Sequence, residues 1–313
     1  MGEVHDLLLE HGTVMARAYA HGRRGPRVVE AASRWLSDED ISTGFVYSGW
    51  CQTGLPHKKP ATESLVWKVQ TDALTLLVEP GFRVGTSGAP PVPVGVPYGA
   101  IARLILIYLQ SEALRTGSRE VELGGSLRAF LKRLSISIGG KTAKIVKDQA
   151  DRLSRCRLTF HSTRNGIGLL VNQNIVDCAM FVGADGLEDG QGTLFVEKAR
   201  LSEVFFQQLT QHAVPLDEAA IRHIRNSSTA LDIYCWLAYR LHALKEPKHL
   251  TWAALAGQFG MGIKQRKHFR AAFAESLSLA LAVYPDAKVE LTSDGITLRP
   301  SNPPVRKLVP VSG

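Results

Sequence analysis

Cysteine is scarce in this sequence, and the spacing of its few cysteines excludes the common structural uses of thiols. The four residues are far apart, at Cys51, Cys156, Cys178 and Cys235. None forms a CxxC pair and no paired histidines stand at zinc spacing, so neither a zinc finger nor a disulfide framework is expected. We therefore predict reduced thiols in a cytoplasmic protein, with Cys235 as a small core residue and with no metal.

Long apolar runs are also absent. The most apolar stretch, residues 100–109, is too short to span a bilayer and contains Arg103. The chain opens with Glu3, His5 and Asp6 rather than with a basic leader and an apolar core. The sequence thus predicts no membrane association and no secretory signal.

The motifs of nucleotide-binding and hydrolytic enzymes are missing as well. Residues 139–142 resemble the tail of a phosphate-binding P-loop, but Ser135 stands where that motif needs a glycine. No GxSxG is present. His223, His249 and His268 each lack a second histidine two residues away, which a metal-dependent nicking site would need. We expect a protein without enzymatic activity and without a cofactor.

Acidic residues are nearly absent from one window of the chain. Between Ser126 and Arg164 there are ten Lys/Arg and only two acids, Asp148 and Asp151, a net charge of +8 that equals the charge of the whole 313-residue chain. Phosphate contacts need several cations on one face, and these cations lack the regular aromatic interleaving of single-strand binders, since only Phe130 and Phe160 stand among them. The window favours double-stranded DNA as partner. The alternative is a solvated charged helix without a partner.

The chain contains the same order of elements twice. Residues 98–182 and 216–300 each contain an apolar helix, a short polar turn, a shorter helix, a basic helix and two strands joined by a tight turn. This order is typical of a helix–turn–helix with a β-hairpin wing. We predict an α+β fold with tandem winged-helix domains at residues 95–212 and 213–313, preceded by an N-terminal extension, residues 1–94, that is partly β.

In the first predicted module, apolar residues at helical spacing indicate a basic helix over residues 141–156. Two strands follow at residues 157–163 and 168–173, and Asn165-Gly166 between them is a strong hairpin signal. The candidate DNA contacts, mainly to phosphates, are Lys141, Thr142, Lys144, Lys147, Arg152, Arg155 and, at the tip of the wing, Arg164.

In the second predicted module, the basic helix spans residues 263–283 and a hairpin follows at residues 287–299. Cations crowd its first two turns, and no acid occurs before Glu275. A recognition helix contacts base edges with its N-terminal residues. The candidates here are Lys264, Gln265, Arg266, Lys267, His268 and Arg270. Aromatic residues on the preceding helix, Tyr234, Trp236 and Tyr239, are candidates for the core or for base stacking.

The N-terminal extension contains predicted elements of both kinds. Apolar spacing indicates an amphipathic helix over residues 28–36, and strands are predicted at residues 64–69 and 74–78. Because unpaired strand edges favour pairing with another chain or with a neighbouring domain, these strands would either form a homodimer surface or complete the first module.

Several stretches, in the same order along the chain, resemble the plasmid-encoded RepA replication initiators. They are residues 49–56 with His57, 96–103, 123–127, 148–153, 231–241, 251–252, 258–260 and 298–301. The set covers most of residues 45–305, and the first 40 residues carry little of it. The resemblance implies a bacterial initiator that binds direct repeats at a plasmid origin, promotes origin opening and recruits host replication proteins. It also suggests a switch between a repressing dimer and an origin-binding monomer.

From the residues alone, only duplex DNA binding by two modules follows. Two further hypotheses stay open. A winged-helix transcriptional regulator would need the same DNA contacts as an initiator. A nicking DNA-processing enzyme would belong to a different class, and its activity would appear on supercoiled plasmid in the presence of a divalent metal.

Overall fold

A computed structural model describes residues 3–19, 25–71, 74–84, 90–133, 135–136, 139–164, 167–181, 196–261, 263 and 265–305. The chain forms two compact units. Unit 1 comprises Met1–Gly44 and Val214–Gly313, and unit 2 comprises Phe45–Ala213. Unit 1 is therefore discontinuous in sequence, with unit 2 inserted into it.

The described elements are α-helices and short strands. The helices are α1 Glu3–Ala18, α2 Pro26–Leu36, α3 Ser48–Gln52, α4 Gly99–Thr116, α5 Gly124–Arg133, α6 Gly140–Arg155, α7 Glu203–Gln211, α8 Glu218–Ile224, α9 Ser228–Arg240, α10 Trp252–Phe259 and α11 Arg266–Ala282. The strands are β1 Thr43–Tyr47, β2 Trp67–Gln70, β3 Leu74–Glu79, β4 Phe82–Arg83, β5 Val92–Pro93, β6 Glu120–Glu122, β7 Arg157–Arg164, β8 Ile167–Asn174, β9 Val176–Phe181, β10 Val196–Leu201, β11 Ala213–Asp217, β12 Lys248–Thr251, β13 Val289–Leu291 and β14 Gly295–Leu298. This mixed composition confirms the predicted α+β class.

The core of unit 1 is built on α9 and α11. Helix α9 is apolar on nearly all sides, and Tyr234 and Trp236 are buried in it, so the core interpretation is confirmed for these two aromatics, while Tyr239 is half-buried. A small antiparallel sheet in the order β12–β14–β13 closes the unit. The predicted hairpin is present as β13 and β14. Strand β12 was not predicted, because its four residues include the polar Lys248 and His249 and follow Pro247.

The first 44 residues are an integral part of unit 1. Helix α2 buries Val28, Val29, Ala31 and Ala32, and it packs against α8 and α11. The Trp35 Nε1 atom donates a hydrogen bond of 2.8 Å to Asp217, the N-cap residue of α8. These contacts join a segment near the start of the chain to helices more than 180 residues later.

Charged contacts reinforce this attachment. Arg222 on α8 pairs with both Asp38 and Asp40, and His223 lies 2.8 Å from Asp38. The hydrogen bonds of Ser42 and the cation of Arg222 hold the pKa of Asp40 below its ordinary value. Farther towards the N-terminus, His5 Nε2 donates to the carbonyl oxygen of Ala282 at 2.9 Å. The segment is therefore fastened to the later helices at several points.

Unit 2 is built around α4, whose residues from Ala102 to Leu109 are all buried. Arg103, which interrupts this apolar run, donates to the carbonyl oxygens of Leu55, Pro56 and Gly99. Three antiparallel sheets complete the unit, one in the order β2–β3–β7–β8, one in the order β6–β10–β9 and a small one of β4 and β5. Strands β9 and β10 were not predicted.

The structure corrects the predicted N-terminal extension of residues 1–94. Strand β3 pairs with β2 on one side and, along all six of its residues, with β7 on the other. Residues 45–94 therefore belong to the same unit as the first predicted module, whereas residues 1–44 belong with the second. Of the two hypotheses for the early strands, the structure favours completion of the first module. No helix in the described part of the chain is long and apolar enough to cross a membrane.

Candidate nucleic-acid interface

The buried face of α11 is anchored by aromatic packing. Phe269 and Phe273 are 3% and 1% exposed. Both rings pack against Trp252 at the start of α10, with centroid distances of 6.4 and 5.9 Å, and Phe259 lies 5.5 Å from Phe273. Aromatic residues bury large apolar areas and contribute specific edge-to-face contacts. The orientation of α11 is therefore set by its own sequence at positions i and i+4.

The opposite face of α11 presents polar and cationic side chains to solvent. Gln265, Lys267, His268 and Arg270, which the sequence predicts as DNA contacts, are exposed. Arg266 is the first helical residue, but its side chain lies outside the described residues, as does Lys264 altogether. The sequence places no acid between Glu246 and Glu275. The exposed start of this helix therefore carries a positive charge that no nearby acid in the sequence neutralises.

The N-terminus of α11 is suited to an anion. Its N-cap residue, Gln265, makes no side-chain capping hydrogen bond, and the first turn contains no acid. Free backbone N–H groups and the helix macrodipole make such an end positive. Cations in that turn add to the positive potential instead of offsetting it, and a phosphate group would satisfy both.

The turn before α11 and the hairpin after it are held close to α10. A Cβ atom at Gly260 would lie 2.8 Å from the carbonyl oxygen of Ala256, so the turn requires a residue without a side chain. Trp252 donates through Nε1 to the carbonyl oxygen of Ser293 at 3.1 Å. Its indole also lies under the guanidinium of Arg270, 5.6 Å from the ring centroid. Arg270 is thus positioned by a cation–π contact while its side chain stays exposed.

The hairpin tip of unit 1 is acidic rather than basic. Asp294 is exposed and lies 3.2 Å from His249, and Glu290 pairs with Arg299 at 3.1 Å. A hydrogen bond from Thr292 is the main cause that lowers the pKa of Asp294. The tip of the hairpin therefore lacks the excess of positive charge that the start of α11 carries.

In unit 2, α6 presents a second cationic face. Lys141, Lys144 and Lys147 are exposed, while Val146 and Leu153 are buried on the other side. Thr142 is half-buried. The N-cap is Gly139, without a side-chain hydrogen bond, and the first turn contains no acid. The start of α6 thus repeats the features of the start of α11.

Arg152 was predicted as a DNA contact, and its position corrects this. Its side chain is 5% exposed. It donates to Glu63 at 2.7 and 3.2 Å and to Asp148 at 3.0 and 3.1 Å, and it lies over the ring of Tyr98. A buried guanidinium with two carboxylate partners is not available to a phosphate.

The contacts of Arg152 hold the start of unit 2 together. Its hydrogen bonds to Glu63 lower the pKa of that carboxyl to about 2, against the burial that would raise it. Gly95, with φ of +79°, lies so close to the pair that a Cβ atom there would overlap Glu63 and Arg152. The arginine therefore joins α6 to two earlier segments of the chain.

Arg155 also differs from its predicted role. It is half-buried, pairs with Asp151 at 2.6 Å and donates to the carbonyl oxygen of Phe82 at 3.1 Å. Asp151 additionally pairs with Arg83. The signal that could have identified both arginines is local, because Asp148 and Asp151 stand four residues before Arg152 and Arg155, at the spacing of helical ion pairs.

Arg164 is the last residue of β7 and is in register with Ile167 of β8. Its side chain, and the Asn165-Gly166 turn, lie outside the described residues. Sequence reasoning missed Lys132 near the end of α5, which is exposed beside the turn that leads to α6. It belongs to the same basic window of the sequence as Lys141.

Comparisons with known proteins give one family and two partly similar solved structures. A family model described as plasmid encoded RepA protein matches residues 96–254, just over half of the chain. No curated protein sequence matches. Two crystal structures of domains 2 and 3 of RctB align with this chain. One has 11% sequence identity, covers 81% of this chain and 99% of that chain, and has a TM-score of 0.49. The other has 9% identity, covers 77% and 92%, and has a TM-score of 0.43.

The matched region begins just before α4, contains α6 with its lysines, and ends within α10. It therefore includes the core of unit 2 and the first helices of the later part of unit 1. The chain belongs to the family of plasmid-encoded RepA proteins.

Proposed function

We propose that the protein is a plasmid replication initiator that binds double-stranded DNA at direct repeats of its origin. The observation that carries this proposal is the exposed, uncapped and acid-free start of α11, where Lys267, His268 and Arg270 project from a helix anchored by Phe269 and Phe273. Membership in the RepA family supports the assignment to plasmid replication.

The arrangement of unit 1 supports a winged helix. The order is α9, β12, α10, α11 and then the hairpin of β13 and β14, with β14 between β12 and β13 in the sheet. In this interpretation α10 and α11 form the helix–turn–helix, and α11 is the recognition helix that enters the major groove. Lys264, Gln265, Arg266, Lys267, His268 and Arg270 are then the candidates for base-edge and nearby phosphate contacts.

Unit 2 supports a modified version of the same plan. Helices α5 and α6 precede the hairpin of β7 and β8, but β6 pairs with β10, and the hairpin is extended by β3 and β2. We assign phosphate contacts to Lys141, Lys144 and Lys147, with Thr142 and Arg164 beside them. Arg152 and Arg155, on the other side of α6, attach the helix to Glu63 and to Phe82.

If both helices bind one duplex, roughly 6–10 phosphates would be neutralised, and log K should fall steeply with log salt concentration. Titration of the protein against origin DNA across a salt series measures this slope. An affinity independent of salt between low and moderate ionic strength would contradict the proposal.

The initiator role is tested by replication itself. A minimal plasmid with the gene and its flanking DNA is introduced into a host where no other replicon can maintain it. We expect the natural gene and a Lys245→Ala control to sustain the plasmid, since Lys245 lies outside both basic helices. A Lys267→Ala/Arg270→Ala variant should fail. Maintenance of the plasmid by this variant, although it no longer binds DNA, would contradict the proposal.

The two other hypotheses predict different outcomes. A transcriptional regulator would bind the same repeats without sustaining replication. A nicking enzyme would convert supercoiled plasmid to open circles when incubated with a divalent metal. We propose that the protein has no enzymatic step, so the plasmid should stay supercoiled. Origin opening, recruitment of host replication proteins and a homodimer form are parts of the proposal that rest on the family alone.

A further inference from the structure

Two open cavities meet at the first turn of α2 in unit 1. One, of about 630 Å³, is lined by Arg27 of α2, by Trp252, Arg270 and Glu275, and by Ser293 of the hairpin. The other, of about 350 Å³, lies between α2 and the loop that joins α8 to α9. Pro26 and Arg27 line both cavities. The two cavities are therefore neighbours, and we call them together the groove; Arg270 of α11 lines the larger one.

Cations outnumber acids along this groove. The smaller cavity is lined by Arg27, Arg34 and Arg225, and Glu30 is the one acid among its described lining residues. That carboxylate is shared, because it pairs with Arg34 at 2.6 Å and also with Arg17. In the larger cavity Arg27 lies 3.5 Å from Glu275, and both side chains are mostly exposed. An ion pair at that distance in solvent is weak.

The groove also includes the start of α9, where Asn226 and Ser227 line the smaller cavity. Ser227 is the N-cap of this 13-residue helix, and the positive end of the helix adds to the charge of the arginines. Arg225 is half-buried there. Burial and the nearby cations Arg34 and Arg222 lower its pKa. An anion in the cavity would relieve this repulsion.

We propose that Arg27, Arg34 and Arg225 form a phosphate track that extends the DNA contact of unit 1 from α11 along α2. The proposal rests on the proposed DNA-binding function. Its partner is the sugar–phosphate backbone of a duplex bound by α11. The groove favours this partner over a small anion because its arginines are distributed over two neighbouring open cavities, one of which is also lined by Arg270, so successive phosphates of one strand could contact them. The first 44 residues would then contribute directly to DNA affinity, without contributing to sequence preference.

The test compares two double variants of the full-length chain. Arg27→Gln/Arg34→Gln removes two cations of the track. Lys245→Gln/Lys288→Gln removes two exposed cations elsewhere in unit 1 and is the matched control. Each is titrated against a labelled duplex of random sequence and one with the origin repeats, across a salt series. We expect the track variant to reduce the salt slope by about 2 on both duplexes, near one for each phosphate that is no longer neutralised. The control should leave the slope unchanged.

A gain of affinity provides the second arm. Glu30→Gln removes the one described acid of the smaller cavity, so it should strengthen binding to both duplexes. Glu246→Gln, an exposed acid outside the track, should have no effect. Thermal unfolding of each variant shows whether it is folded. Unchanged slopes for the track variant, together with unchanged affinity for Glu30→Gln, would overturn the proposal.

The outcomes separate this inference from the function on which it rests. If the unmodified protein binds neither duplex, the DNA-binding function itself fails. If it binds, and Lys267→Ala weakens binding while the track variant does not, only the track fails. Titration with inorganic pyrophosphate distinguishes the source of the phosphate. Binding of pyrophosphate that depends on Arg27 and Arg34, with duplex binding unaffected by them, would overturn the track in favour of a small-anion site.

Discussion

The two candidate DNA helices have similar outer faces and very different supports. Helices α6 and α11 both begin without a capping side chain and without an acid in the first turn. The buried face of α11 carries Phe269 and Phe273, which pack against Trp252 of α10. The side of α6 that faces the rest of unit 2 carries the ion pairs of Arg152 with Glu63 and Asp148 and of Arg155 with Asp151. The exposed cationic faces are thus alike, whereas α11 is held by aromatic packing and α6 by ion pairs in addition to the buried Val146 and Leu153.

This difference has consequences for stability. Burial of aromatic rings is insensitive to salt and to the titration of carboxylates, so the position of α11 should depend little on solution conditions. Ion pairs depend on the charge of both partners, and on salt where they reach solvent. The attachment of α6 to the rest of unit 2 should therefore weaken in acid, where the carboxylates that pair with its arginines become protonated.

The largest expected effect is on the aromatic support. Phe273→Ala should lower the free energy of unfolding of unit 1 by about 3–5 kcal/mol, because it removes a buried ring and leaves a cavity among three aromatic neighbours. Tyr19→Ala is the control, since Tyr19 lies in the same unit and is 54% exposed. Urea unfolding followed by tryptophan fluorescence measures both. A destabilisation by Phe273→Ala no larger than that of the control would show that α11 is held in some other way.

A smaller effect is expected for the ionic support. Arg152→Met should lower the free energy of unfolding by about 1–3 kcal/mol, less than for a fully buried pair, because Glu63 and Asp148 keep part of their hydration. The dependence of DNA affinity on salt should be the same for Arg152→Met as for the unmodified protein. Lys144→Gln should instead reduce the slope of log K against log salt by about 1 and leave the free energy of unfolding unchanged. Urea unfolding and DNA titration of both variants check this. If folded Arg152→Met has a smaller salt slope for DNA binding, Arg152 contacts DNA after all.

The positions of Arg152 and Arg155 show what a single sequence can supply. The helix itself, the hairpin after it and the exposure of Lys141, Lys144 and Lys147 follow from local spacing, and the sequence predicted them. The i, i+4 pairs with Asp148 and Asp151 are also local and could have been found. Glu63 could not, because it lies 89 residues before Arg152, and only the folded chain brings the two together.

The grouping of the chain into units shows the same limit on a larger scale. The order of helices in both predicted modules was largely visible in the sequence. The packing of residues 1–44 with residues 214–313 in unit 1 was not visible, because it depends on contacts such as that of Trp35 with Asp217. The short strands β9, β10 and β12 escaped prediction because their partners are distant in sequence, and a strand of four to six mixed residues has little pattern of its own.

An effect of similar size to that of Arg152→Met, but on DNA binding, is expected if α11 recognises sequence and α6 contacts only phosphates. Lys267→Ala should weaken binding to origin repeats more than to random duplex, by roughly 1–3 kcal/mol if the side chain contacts a base edge. Lys144→Ala should weaken both about equally, because phosphates carry no sequence information. Competition binding with the two duplexes measures the ratio. If the pattern is reversed, α6 is the helix that recognises sequence.

The smallest effect is a dependence on pH that belongs to the support of α6. Hydrogen bonds from Arg152 hold the pKa of Glu63 at about 2 in the folded protein, below the ordinary value of about 4.3 for a free glutamate. A carboxyl with a depressed folded pKa stabilises the fold above its unfolded pKa, and this contribution is lost as pH falls towards the folded value. Glu63→Gln should therefore be less stable than the unmodified protein at neutral pH. The difference should shrink between about pH 4.5 and pH 2.

Asp38 and Asp40 in unit 1 also have lowered pKa values, so acid sensitivity of the whole chain does not isolate Glu63. The difference between the unmodified protein and Glu63→Gln does, because every other carboxyl is common to both. Urea unfolding of the two proteins at a series of pH values measures this difference. If it stays constant down to pH 2, Glu63 contributes through packing alone, and the contrast between an ionic and an apolar support would rest on Arg155 and its pair with Asp151.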